Sequence, residues 1–236
     1  GIGARYFRDG ARIMIYLDYN ATAPVLPSVI AAVSALGGQP LNTSSVHSAG
    51  RVAKRLMEDA RAAVATAFSV FPNEVIFVSS ASEANNMVLR GFAATHTLFV
   101  SAVEHASIHK TGGLLGAATL PVDANGVVDL AALDTMLAAA GERPALVSVM
   151  LANNETGVIQ PLAEIARIAH ARGALVHTDA VQALGKSPVD FGLLGVDMLT
   201  VSAHKSGGLV GSAALLLRND LPIKPLITGG KQELGR

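Results

Sequence analysis

The feature that most constrains this chain is an alternation of short, β-branched apolar runs, too brief for helices, with longer stretches that repeat apolar residues at helical spacing. Val75-Ile76-Phe77-Val78 is the first clear run, and others recur at 98–100, 145–151, 174–177, 198–201 and 213–217. Between them lie helical patterns, the clearest being Leu162, Ile165, Ala166 and Ala169, stopped at Arg172-Gly173. Strands that alternate with helices build a mostly parallel sheet covered by helices on both faces. Upstream, Val25, Val29, Ile30, Val33 and Leu36 predict a helix ended by Gly37-Gly38. A second is predicted from Arg51 to Phe68, with Val52, Leu56, Ala60, Val64 and Ala67 on its inner face. Gly1 to Arg12 show no apolar periodicity and read as an extension ahead of the strand-like Ile15-Tyr16-Leu17.

Half of the 236 residues are hydrophobic, enough to rule out disorder. Eighteen basic residues balance eighteen acidic ones, with no Lys or Arg run, so neither nucleic acid nor an anionic membrane is an expected partner. Without a single Cys there is no disulfide, thiolate metal site or Cys nucleophile on these residues. The apolar runs are strand-length, well short of the roughly 20 residues of a membrane-spanning helix, and a cytoplasmic protein is expected.

In an open parallel sheet, ligands gather at the carboxyl ends of the strands. The strand-like runs here are followed by Ser79-Ser80-Ala81-Ser82-Glu83, by Glu104-His105, by Asn153-Asn154-Glu155, by Asp179 with Gln182, and by Ser202-Ala203-His204-Lys205. Ser80-Ala81-Ser82-Glu83 fits a capping box, and a helix start of that kind also suits an anion. Asp179 reads as a buried carboxylate needing a donor or cation, or as a plain helix cap. Lys205 is either a solvated loop lysine or a buried amine of the type that forms Schiff bases. The four-residue spacing of His105 and His109, with His177-Thr178-Asp179 able to add more ligands, also admits a metal hydrolase, although no spacing pattern marks the third and fourth. Taken together, an anion cradle, a buried Asp, an imidazole and a strand-end Lys are what a pyridoxal phosphate site requires, and no metal is needed.

The sequence resembles the class V aminotransferase group of pyridoxal-phosphate enzymes, and within it the NifS/IscS-like cysteine desulfurases. The resemblance rests on Leu17-Asp18-Tyr19-Asn20-Ala21-Thr22-Ala23-Pro24, Asn42 to His47 with Gly50-Arg51, Ser82-Glu83-Ala84-Asn85-Asn86, Glu104-His105, Asn153 to Gly157, His177 to Gln182 with Gly185-Lys186, Ser202 to Lys205, and Gly229 to Glu233, in the family's order. It implies a fold-type-I large domain with a mostly parallel seven-stranded sheet over residues 28–236 and a small-domain segment at 14–27, with the extension at 1–13 ahead of them.

It further implies that Lys205 carries the aldehyde of pyridoxal 5'-phosphate, that Asp179 partners its ring nitrogen, and that His105 stacks on the ring and assists proton transfer. Asn154 and Gln182 would bond the ring hydroxyl side, and Ser82, Ser202 and His204 would hold the phosphate. The implied activity takes L-cysteine to L-alanine in a homodimer and passes sulfur through an enzyme persulfide to an acceptor, as in iron–sulfur cluster assembly. An aminotransferase, a selenocysteine-type lyase and a non-catalytic scaffold are the alternatives. The family's catalytic Cys, its substrate-carboxylate Arg and most of its small domain fall beyond Arg236, so the expectation is a C-terminally truncated chain that does not complete desulfuration. Ser206-Gly207-Gly208-Leu209-Val210-Gly211 replaces the family's Gly-Pro-Lys-Gly type of turn, and Thr43 replaces a Pro, which puts loop rigidity in question.

Overall fold

The structure is a computed structural model that describes residues 5–9, 12–219, 221–230 and 232–235, with side chains from residue 15 onward except at 234. Strands β1 (Arg5–Asp9) and β2 (Arg12–Tyr16) pair antiparallel, from Arg5 opposite Tyr16 to Asp9 opposite Arg12. Most of the expected extension is thus a hairpin, held by backbone pairing that apolar periodicity does not register. Helix α1 (Pro27–Ser34) starts on a proline, which suits the first turn, and buries none of its residues.

Helix α2 (Ser48–Ala67) is capped by His47, whose ring accepts from the Gly50 N–H. Its inner face differs from the predicted one. Ala53, Arg61 and Ala65 are buried, whereas Val52 and Leu56 are exposed. Arg61 draws the helix round: its guanidinium donates to the Val75 carbonyl, lies over the Phe77 ring and meets Glu233 through two hydrogen bonds of 2.7 and 2.8 Å.

The main sheet comprises β3 (Val75–Val78), β4 (Thr97–Ser101), β5 (Ala118–Leu120), β6 (Ala145–Ser148), β7 (Leu175–Asp179), β8 (Met198–Ser202) and β9 (Ala213–Leu217). Their order is β3-β9-β8-β7-β6-β4-β5. The five strands from β8 to β5 are parallel, and β9 runs antiparallel to both β8 and β3. Helices α3 (Ala81–Phe92) and α4 (Ala106–Leu114) lie on one face over Ile76, Leu98, Val100, Leu146, Met198 and Leu215. The other face packs Val75, Phe99, Val147, Val176, Leu199 and Leu216 against α2, α5 (Leu130–Ala138), α6 (Leu162–Ala171) and α7 (Phe191–Leu194). Neighbouring residues of one strand serve opposite cores, as the pleat requires.

On the α3 side the apolar surface gives way to a polar row near the carboxyl ends of the strands. Ser148 Oγ lies 2.9 Å from His177 Nδ1, and His177 Nε2 lies 3.0 Å from Thr200 Oγ1, a chain across β6, β7 and β8. Burial holds His177 down to about 3, so the imidazole is neutral and each ring nitrogen is matched by a hydroxyl. Two residues further on stand Asp179 and Ser202, which end β7 and β8, and Met150, just beyond β6.

Candidate active site

A cavity of about 290 Å³ opens at the carboxyl ends of β4, β6, β7 and β8, lined by Ala21, Ala81, Ser82, His105, Met150, Asn154, Asp179, Val181, Gln182, His204 and Lys205. Seven of the eight residues singled out from the sequence therefore share one space. The eighth, Ser202, is the last residue of β8, 3% exposed and not among the lining residues.

Asp179 ends β7 and is 5% exposed. Its Oδ1 accepts from the Val181 N–H at 3.0 Å and its Oδ2 from Asn85 Nδ2 at 2.8 Å, so two donors hold the carboxyl in place. Lys205 ends a turn of 3-10 helix directly after β8. Burial pushes its amine below the usual lysine value, and the carboxylates of Asp179 and Asp18 pull it partly back.

Helix α3 begins against the cavity. Ser80 caps it by accepting from the Glu83 N–H, while the Glu83 carboxylate accepts from the Ser79 N–H rather than from that of Ser80, so the box predicted from Ser80 and Glu83 is displaced by one residue. Among the described residues the Ala81 and Ser82 N–H groups and the Ser82 hydroxyl have no hydrogen-bond partner. An exposed helix amino end with a free hydroxyl at a cavity wall has the donors to hold an anion.

His105 is the N-cap of α4: its Nδ1 accepts from the Ser107 N–H at 3.2 Å and lies 2.8 Å from Ser107 Oγ. His109, four residues on, is exposed, and among the described residues there is no group of three or more potential metal ligands. Beside His105, the Glu104 carboxyl is shut off from solvent. Its Oε1 accepts from Ser101 Oγ and the Met150 N–H, and its Oε2 has no partner. Burial, with a smaller push from the Asp179 charge, raises Glu104 to about 8 against those two hydrogen bonds.

A segment far away in sequence crosses the rim. Asn20 Nδ2 donates to the Asn154 carbonyl, Gln182 Nε2 donates to the Asn20 carbonyl, and the Ala23 N–H and Thr22 hydroxyl both donate to the His204 carbonyl. Leu26 continues the latch: its N–H donates to the Gly207 carbonyl, and its side chain fills the space where a Cβ on Gly207 would stand, 2.8 Å away. Gly207, at φ +91°, takes a backbone conformation that favours glycine, so the turn after Lys205 is shaped by its glycines in place of proline. Asn20, Asn85, Ser107, Met150 and Lys186 belong to the site or its support. Except for Ser107, two residues from His105, they are brought there by pairings remote in sequence.

A family model described as aminotransferase class-V matches residues 15–234. The IscS-like cysteine desulfurase of Mycobacterium tuberculosis is 40% identical over 234 residues, covering 93% of this chain and 59% of that protein. Cysteine desulfurase IscS of Dictyoglomus turgidum is 39% identical over 230 residues, covering 93% of this chain and 58% of that one. Among solved structures, the NifS-like protein from Rickettsia africae superposes with a TM-score of 0.91 at 40% identity, over 94% of this chain and 63% of that chain. SspA in complex with cysteine gives 0.86 at 30% identity, over 93% and 66%. The chain thus spans about 59% of the length of the first of these curated relatives.

Proposed function

This chain belongs to the class V aminotransferase family, and on that premise we propose that it forms the pyridoxal 5'-phosphate site of a cysteine desulfurase acting on L-cysteine. The observation that carries this reading is the convergence of Lys205, Asp179, His105 and Ser82 on one 290 Å³ cavity. In this reading residues 28–236 form the cofactor-binding domain, 14–27 belong to a smaller one and 1–13 precede both. The active form is a homodimer in the cytoplasm that hands sulfur to an acceptor protein. The 236 residues contain no cysteine, so a persulfide-bearing thiol lies outside them.

The donor set suits the cofactor. The open amino end of α3 with Ser82 suits a phosphate dianion. A carboxylate held by two donors suits a protonated ring nitrogen, and a lysine with a depressed pKa suits an aldehyde. When bound, pyridoxal phosphate supplies an electrophilic carbon and an electron sink. The protein's own residues do the rest. Asp179 holds a negative charge at a fixed point, and burial keeps more of Lys205 as free amine near neutral pH. His105 and His204 flank the cavity, with burial and the Lys205 charge keeping His204 below the usual imidazole value. The Asn20 to Ala23 segment narrows access from solvent by its bonds to Asn154, Gln182 and His204.

The test is the visible spectrum of the chain with added pyridoxal phosphate, followed by borohydride reduction and peptide mapping. A new visible band, with the reduced adduct on Lys205 and absent in Lys205→Ala, is expected. An adduct scattered over surface lysines, or retained on this peptide in Lys205→Ala, overturns the reading.

A further inference from the structure

Two side chains from two helices join Asp179 to His105. Asn85, on α3, is fully buried, and its Nδ2 lies 2.8 Å from Asp179 Oδ2 and 2.9 Å from Ser107 Oγ. Ser107 Oγ lies 2.8 Å from His105 Nδ1. The directions of these bonds follow from what each group can donate. Turning the Asn85 amide over would set its oxygen against the carboxylate, so Nδ2 faces Asp179, and Oδ1 is left buried without a partner. The second Nδ2 hydrogen then points to Ser107 Oγ. The Ser107 hydroxyl, already an acceptor, gives its own proton to His105 Nδ1, where the Ser107 backbone N–H also points. Two donors leave no place for a proton on Nδ1.

We propose that Asn85 and Ser107 are positioning residues that lock His105 in its Nε2–H tautomer, with the lone pair of Nδ1 turned to the protein. The charge on Asp179 sets the direction of the whole chain, so two groups from different elements of the site are fixed in one polarity. The neutral imidazole therefore presents a hydrogen-bond donor to whatever occupies the cavity. Accepting a proton at Nδ1 would break the bond from the Ser107 N–H and force the bond with the Ser107 hydroxyl to reverse. The purpose of this arrangement rests on the cofactor reading, but the tautomer is a property of the protein alone.

The experiment is long-range proton–nitrogen correlation NMR of the full chain labelled with 15N-histidine, without cofactor and at mildly alkaline pH. The His105 signals are assigned by their loss in His105→Gln. Nδ1 is expected to resonate as an unprotonated nitrogen and Nε2 as a protonated one. Ser107→Ala should raise the Nδ1–H form about tenfold, the equivalent of one net hydrogen bond, and Ser107→Thr should restore the single tautomer. Asn85→Leu should act like Ser107→Ala; if this buried substitution unfolds the chain, the Ser107 pair decides alone. A substantial Nδ1–H population in the unaltered protein, or an unchanged tautomer in Ser107→Ala, overturns the proposal. Either result is independent of the borohydride experiment, so a failed cofactor reading and a failed tautomer lock are told apart.

Discussion

Lys186 Nζ stands 2.7 Å from Gln182 Oε1 and 2.9 Å from Asn20 Oδ1, so one ammonium fastens the N-terminal segment to the turn beyond β7. With Lys186 on its oxygen and the Asn20 carbonyl on its nitrogen, the Gln182 amide has only one orientation. Lys186→Met removes both donor bonds and adds no bulk. We expect unfolding stability to fall by about 1 kcal/mol, kept small by solvent at a partly exposed site, as read from denaturant midpoints. Proteolysis near Asn20 should accelerate as the latch loosens. No change in either measurement would remove Lys186 from the support of the site.

The depressed pKa of Lys205 has its own signature. The initial rate of pyridoxal phosphate addition should rise with pH through an inflection below the ordinary lysine value of 10.5. Asp179→Asn deletes the charge that pulls this pKa upward, so the inflection should move lower still. An upward move would show that Asp179 does not act on the amine through its charge.

Glu104 gives a stability prediction whose sign is fixed by its raised pKa. Between the ordinary value of 4.5 and about 8, the folded chain keeps a proton that the unfolded chain releases. Its contribution is therefore whole below the lower value and is lost as pH rises through the upper one. Glu104→Gln preserves an acceptor for Ser101 and Met150 and cannot ionise. Comparing denaturant midpoints near pH 5 and pH 8, the native chain should lose stability relative to this variant by on the order of a few kcal/mol. Parallel pH profiles for the two proteins would place the Glu104 carboxyl in contact with water.

Gly208 is held against Ala203, its N–H donating to the Ala203 carbonyl at 2.8 Å, and a Cβ there would stand 2.4 Å from the Ala203 Cβ. Gly208→Ala must push the turn bearing Lys205 away from the cavity. The fold should persist by circular dichroism while the yield of the Lys205 adduct drops several-fold. An undiminished yield would mean that the turn yields without displacing the amine.

Strand existence and the polar strand ends are legible in the sequence because a parallel sheet buried on both faces writes each strand as an apolar run that stops where the loop begins. Asp179, His105, Lys205 and Asn154 stand just past the ends of such runs, which is how they come to notice. The three-residue β5 is too short to be distinguished, and Ala-rich α5, apolar nearly all round, carries no readable face. The inner face of α2 is misassigned from its apolar spacing because its anchor is the charged Arg61, paired with Glu233 across the chain. Asn85 lies inside a motif of the family, yet its partnership with Asp179 arises only when α3 lies across β7. No local pattern announces that contact. The latch of Asn20 to Leu26 on the Lys205 turn is hidden for the same reason.

The placement of β9 between β3 and β8 also governs the timing of assembly on the ribosome. Val75 emerges early, but its ladder partner is Leu216, so β3 must wait for almost all of the domain to be made. The parallel block from β5 to β8 is complete by Ser202 and has no such delay. During that interval the edge of β3 that β9 will pair is unclaimed, and such an edge is open to mispairing with another chain. A pause in translation before Ala213 would prolong this vulnerable stage, and the first few residues beyond it would end it.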